Sequence, residues 1–155
     1  LSTGENEHPT PQWLFDKIND MFNFEIDLSA TSENAKCEKF YTKEQDALKY
    51  EWDNTSCWCN PPYSKDLQPL FIQKAYTDSL KYKNTIVLLI PLRADTRVWH
   101  DYIWGKADVY IFKGRPKFYG DKSPTYASAL VVYSDSEHKN IYTVDKDFEA
   151  IKQIA

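Results

Sequence analysis

Ser56-Cys57-Trp58-Cys59-Asn60-Pro61-Pro62-Tyr63 is the stretch on which the fold turns. Its first half reads as a short apolar strand, Ser56 to Cys59, with both thiols on one side and Trp58 on the other. Pro61 and Pro62 must stop that strand, because proline has no N–H to give to a ladder. Downstream, Asp66 to Lys81 has helical spacing, with Leu70, Phe71, Ala75 and Leu80 on an inner face. Thr85 to Ile90 is β-branched and continuously apolar, the mark of a strand covered on both sides. Upstream, Thr10 can cap a helix that Pro11 opens, and Trp13, Leu14, Ile18, Met21 and Phe22 recur at helical spacing. Phe24 to Leu28 alternates like a strand, so Asp27 falls near its carboxyl end.

The rest of the chain continues the rhythm. Residues 29–55 are polar and read as irregular. A helix is expected around Thr96 to Trp104, with strands at Ala107 to Phe112, Ala127 to Tyr133 and Ile141 to Val144. A last helix is expected at Phe148 to Ile154. Lys113 to Tyr126 carries Gly114, Pro116, Gly120 and Pro124, and reads as a long loop or hairpin arm. Alternation of strand and helix implies an α/β sheet with helices on its faces. Ligands in such sheets bind beyond the carboxyl ends of the strands, which places Asp27, Asn60 and Pro91 along one rim.

Composition narrows the class. The chain has 155 residues, enough for one domain, with 42% hydrophobic and 27% charged residues, as in a globular protein. Residues 1–9 read as a flexible lead-in and 10–155 as a single domain. No run approaches the ~18 apolar residues of a membrane span. Leu1 to His8 shows no apolar signal-peptide core, and an odd number of cysteines fits a reducing cytoplasm. Cys57-Trp58-Cys59 has metal-like spacing, but two thiolates without a second ligand pair make a poor zinc site, so no metal is expected. The formal net charge is −4, which argues against strong nucleic-acid affinity. A local basic patch remains at Lys113, Arg115, Lys117 and Lys122.

The tetrapeptide Asn60-Pro61-Pro62-Tyr63 is suited to one kind of chemistry. An exocyclic amino group on a base is a weak nucleophile, because its lone pair is delocalised into the ring. The Asn60 side-chain carbonyl can accept one N–H bond, and the backbone carbonyl of Pro61 another. Two fixed acceptors favour a more tetrahedral, more nucleophilic nitrogen. The prolines hold those acceptors rigidly, and Tyr63 offers a face for a planar base.

Taken in order, the blocks of this sequence resemble the short phage DNA N6-adenine methyltransferases, phage relatives of the deoxyadenosine methylases. The likeness runs from Thr10 to Tyr133. It rests on Thr10-Pro11, Phe24-Glu25-Ile26-Asp27, Asn34-Ala35-Lys36-Cys37 and Asp46-Ala47-Leu48. It continues through Trp58 to Tyr63, Lys113-Gly114-Arg115 with Lys117-Phe118, and Ser128 to Val132. The resemblance implies a compact Rossmann-like class I methyltransferase sheet, mostly parallel with an antiparallel edge and helices on both faces. It implies S-adenosylmethionine as cofactor and adenine N6 in DNA as target; the sequence does not give the purpose, for which evasion of restriction is one candidate. Asn60, Pro61, Pro62 and Tyr63 match the catalytic motif. Thr10 and Pro11 resemble the segment that holds the methionine carboxylate. Asp27 resembles the acid that ends the first strand, and Asp46 the acceptor for the cofactor's adenine amino group. Phe118, Lys113, Arg115 and Lys117 suit an arm beside an extruded base, and Arg93 and Arg97 add candidate phosphate contacts.

The sequence departs from the pattern in two places. Leu28 to Ala35 contains no glycine where most class I methyltransferases carry a glycine-rich loop, so Ser29, Ala30 and Asn34 are the candidates for gripping cofactor there. The segment from Asp27 to Asp46 is short for a strand–helix–strand unit, so a reduced sheet is expected. Only the Lys113–Tyr126 arm is available to read DNA, which implies loose sequence preference or a homodimer. Two rival functions fit parts of the chain: a protein-glutamine methyltransferase, and a catalytically silent phage binding protein that keeps the fold.

Overall fold

A computed structural model describes residues 9–115 and 126–155. Residues 1–8 of the expected lead-in and 116–125 of the arm lie outside these residues. The described strands are β1 (Ile26–Asp27), β2 (Lys39–Phe40), β3 (Ser56–Cys59), β4 (Thr85–Pro91), β5 (Asp108–Phe112), β6 (Ser128–Tyr133), β7 (Ile141–Val144) and β8 (Ile151–Gln153). The described helices are α1 (Gln12–Phe22), α2 (Gln68–Tyr82) and α3 (Arg97–Tyr102). All eight strands join one sheet in the order β2-β1-β3-β4-β6-β5-β7-β8. The β2-β1-β3-β4 run is parallel throughout. β6 enters antiparallel between β4 and β5, and β8 forms an antiparallel edge. This is the Rossmann-like methyltransferase sheet that the sequence implied.

Alternation along the strands divides the core into two layers. Cys57, Cys59, Ile86, Leu88, Ile90, Val131 and Tyr133 face α2 and α3, where Phe71, Ile72, Ala75, Trp99 and Ile103 cover them. Trp58, Val87, Leu89, Leu130 and Val132 face α1, where Leu14, Phe15 and Ile18 cover them. Residues 86–91 of β4 are buried without a break, which is why the run from Ile86 is apolar at every position. No described helix is long and apolar enough to cross a membrane.

Several expectations are corrected. Trp13 and Met21 recur at helical spacing but are 40% and 45% exposed, and the buried stripe of α1 is Leu14, Phe15 and Ile18. In α2, Leu70 and Leu80 point outward, and Ile72, Asp78 and Ser79 take inner positions beside Phe71 and Ala75. Asp78 occupies a buried position because it accepts from the Trp52 N–H at 3.0 Å and pairs with Lys74 at 3.1 Å. Thr10 does not cap α1: Pro11 is the N-cap and the cap makes no side-chain hydrogen bond. The tail is not a helix. Phe148 takes φ 55°, and the Asp145 carboxylate accepts from Glu149 N and Ala150 N. This turn sends Ile151 to Gln153 back along β7 as β8.

The polar stretch 29–55 is largely irregular, as read, but holds two ordered pieces. They are β2 and a 3-10 turn at Ala47–Lys49. β1 and β2 have two residues each, and no helix joins them. The short segment gives a crossover without a helix, but the expected reduced sheet is not found: the described strands form an eight-stranded sheet, because β1 and β2 need only two residues each to pair.

Candidate active site

The carboxyl ends of β1 and β3 open on a cleft of about 410 Å³. Thr10, Asp27, Ser29, Ala30, Asn34, Asp46, Asn60, Pro61 and Pro62 all line it. Chain order scatters these residues over fifty positions; parallel pairing of β1 with β3, with Asp27 opposite Trp58, brings them together. Pro91 ends β4 on the same rim but pairs with Ser128 in β6 and is not among the lining residues. Pro11 also lies outside the lining; its carbonyl accepts from Leu14 N and Phe15 N at the start of α1. Tyr63 stands beyond the cleft wall, with its ring edge-to-face against Tyr126.

Asp27 organises the glycine-free loop. It is 2% exposed, its Oδ1 accepts from Ser29 N at 3.1 Å, and its Oδ2 accepts from Lys36 N at 3.0 Å. Its backbone carbonyl accepts from Tyr41 N, and Ala30 N donates to the Tyr41 carbonyl. The loop backbone is thus tied to Asp27 and β2 by ordinary residues in ordinary conformations. Burial pushes the Asp27 carboxyl up to about 6, against the lowering pull of those two N–H groups and the Lys36 charge. Burial lowers Lys36, partly offset by Asp27 and Asp16, and its ammonium donates to Gln12 Oε1 at 3.1 Å.

Asp46 is held by strained backbone. It takes φ 57°, and its Oδ1 accepts from Leu48 N at 3.2 Å. Aspartate tolerates the left-handed region better than most residues, because its side chain bonds locally. Asn34 and Thr31 exchange hydrogen bonds across a turn: Thr31 N donates to Asn34 Oδ1 at 2.8 Å, and Asn34 N to Thr31 Oγ1 at 3.2 Å. Asn60 leaves β3 on the α1 side, and its Nδ2 donates to Thr10 Oγ1 at 3.2 Å.

Sequence reasoning missed part of the wall. Lys36, Thr42 and Lys43 line the cleft from the loop side, and Leu67 and Phe71 line it from the start of α2. The signal for the last two was there: Leu67 and Phe71 are four apart and follow directly on the tetrapeptide. Trp58 contributes its α1-side face, packed between Phe15 and Phe24. Cys57 and Cys59 point away into the α2 layer, where burial pushes the Cys57 thiol up to about 12 and Cys59 well above its usual value.

Arg93, Arg97, Lys113 and Arg115 are exposed. Arg93 follows β4 and Lys113 follows β5, so both leave the sheet at the cleft end. Arg97 is the first residue of α3. Lys117 and Phe118 lie outside the described residues.

The chain is similar to known DNA adenine methyltransferases. A family model described as "DNA N-6-adenine-methyltransferase (Dam)" matches residues 3–149. A DNA N-6-adenine-methyltransferase of Haemophilus phage HP1 is 34% identical over 118 residues, covering 74% of this chain and 66% of that protein. One from Escherichia phage T1 is 35% identical over 95 residues, covering 56% of this chain and 38% of that protein. The putative methyltransferase YfdM of Escherichia coli K12 is 38% identical over 61 residues, covering 35% of this chain and 67% of that protein. The chain therefore spans just under two thirds of one phage relative and well under half of the other. With nearly its whole length matched by one family model, the chain belongs to the DNA N-6-adenine-methyltransferase (Dam) family.

Proposed function

We propose that this chain transfers a methyl group from S-adenosylmethionine to N6 of adenine in DNA. One observation carries the reading: Asn60, Pro61 and Pro62 line the same cleft as Asp27 and Asp46. The acceptors suited to an amino group and the carboxylates suited to a cofactor thus share one space.

The residues present fit that cofactor. The cleft volume lies within the ~300–1,000 Å³ of small-molecule sites. Asp27 and Asp46 can accept from ammonium, hydroxyl or amino donors, and Leu28, Trp58, Leu67 and Phe71 supply apolar wall. When bound, the cofactor supplies an electrophilic methyl group on a positively charged sulfur. The chain's own task is to aim a nitrogen lone pair. Asn60 Oδ1 and the Pro61 carbonyl accept the two N–H groups of adenine N6, and Tyr63 stacks the extruded base. As the N–C bond forms, the methyl–sulfur bond would break with its electron pair left on sulfur, and one of the two N–H protons would pass to water.

Arg93, Arg97, Lys113 and Arg115, with Lys117 and Phe118, form the proposed DNA contact, weak and local as the net charge of −4 requires. Residues 10–155 act as one domain, with a homodimer as the way to enlarge a small DNA footprint. The substrate places the protein in the cytoplasm of the cell that holds the DNA. Incubation with labelled cofactor and DNA should yield N6-methyladenine, identified by mass spectrometry, and Asn60→Ala should abolish it. Full activity of that variant, or methylation of peptide glutamine and not DNA, would sink the proposal.

A further inference from the structure

The geometry points to Thr10 as the residue that sets which way the Asn60 amide faces, and not as a ligand of the cofactor. The inference rests on the proposed methyl transfer. Thr10 is 4% exposed and lies fifty residues from Asn60 in the chain, yet its Oγ1 accepts from Asn60 Nδ2 at 3.2 Å. A hydroxyl just before a helix ordinarily caps it. Here Pro11 takes the N-cap position, and the cap makes no side-chain hydrogen bond. The Thr10 hydroxyl is turned from the helix to the end of β3.

That contact has a chemical consequence. A primary amide has two ends of opposite character, NH2 as donor and C=O as acceptor. An Asn60 turned the wrong way would present NH2 to the NH2 of the target, donor against donor. With Nδ2 committed to Thr10, the amide is held with its carbonyl as the end offered to an amino group. Swapping the ends would aim NH2 at the target and leave the carbonyl oxygen to a hydroxyl that must turn its own proton toward it. Thr10 is therefore a positioning residue: it acts through Asn60 and touches neither reacting atom.

Thr10→Val keeps the shape and removes the hydroxyl, and Thr10→Ser keeps the hydroxyl. In Thr10→Val, kcat on DNA should fall about tenfold, the scale of one hydrogen bond, with cofactor Kd by calorimetry unchanged within about twofold. Thr10→Ser should restore most of the rate. The contact is also read without substrate: the Asn60 side-chain NH2 resonances, identified by their loss in Asn60→Ala, should shift in Thr10→Val and hold in Thr10→Ser. If Thr10→Val does not fold, Thr10→Cys, with its poorer acceptor, carries the same expectations. Weakened cofactor binding in the hydroxyl-less variant overturns the inference, whatever kcat does. So do unshifted NH2 resonances. Absence of methyl transfer by the unaltered protein would instead count against the proposed function, with the NH2 resonances still deciding the role of Thr10.

Discussion

Tyr63 and Tyr126 meet edge to face, their ring centroids 5.6 Å apart and their planes at 72°. Tyr63 ends the tetrapeptide after β3, and Tyr126 leads into β6. β4 lies between those two strands in the sheet. The contact therefore crosses a whole strand at the cleft end. It buttresses the ring proposed to stack the target base, from the side of the 113–126 arm.

Removing the Tyr63 ring should reduce kcat/KM strongly. Base–aromatic stacking contributes about 1–3 kcal/mol, so Tyr63→Ala should lose roughly 5- to 150-fold. Tyr126→Leu removes the buttress, about 0.5–1.5 kcal/mol, and should lose roughly 2- to 13-fold. Steady-state methylation of an oligonucleotide gives both values. The double variant should fall short of the product of the two, because the ring that Tyr126 supports is already gone.

Asp27 should make stability and cofactor binding respond to pH with opposite signs. Its folded carboxyl sits at about 6, above the usual 3.8, because burial disfavours the charge. Between those values the native state holds a proton that the unfolded chain has lost. Rising pH therefore removes stability across that window, by up to about 3 kcal/mol, and the loss is complete above pH 6. Cofactor donors favour the carboxylate, so affinity should rise with pH toward 6 and level off above it. Chemical denaturation and calorimetry from pH 4 to 7.5 test both trends. In Asp27→Asn both should flatten.

A buried leucine of β4 and an outward leucine of α2 offer a packing test. Leu89, fully buried in β4 against α1, should lose about 2–5 kcal/mol on change to Ala, read as a drop in the denaturation midpoint. Leu80, 59% exposed, should change by no more than about 0.5 kcal/mol. Equal effects would contradict the observed rotation of α2.

Neutralising the basic side chains at the cleft end should weaken DNA binding without regard to sequence. Lys113→Gln and Arg115→Gln are each expected to reduce the slope of log K against log salt by about 0.9 if the residue meets a phosphate on duplex DNA. A fluorescence titration across a salt series measures this. Their effect on cofactor Kd should be nil, since neither residue lines the cleft.

The place of Asn60-Pro61-Pro62-Tyr63 at the end of β3 was legible because the signal is local: prolines in a fixed order after an apolar run must stop the strand. Strand alternation at Cys57-Trp58-Cys59 and the unbroken apolar run of β4 were legible for the same reason, since side-chain period follows from backbone geometry. The tail was misread because Phe148 to Ile154 can satisfy a helical pattern. Pairing with β7 and the Asp145 turn outweigh that pattern. Leu70 and Leu80 were misplaced because hydrophobicity alone does not fix helix rotation when Asp78 has a buried partner in Trp52 N–H.

The sequence by itself determined the sheet class, the strand that carries the tetrapeptide, and the family. Only the tertiary structure decided how a loop without glycine is held and which group the Thr10 hydroxyl meets. Asp27 reaches Lys36 N across nine residues, and Thr10 reaches Asn60 across fifty. Contacts of that range leave no periodicity in the sequence. A parallel sheet brings its carboxyl ends to one rim whatever the chain distance between them, and that rim is where these residues meet.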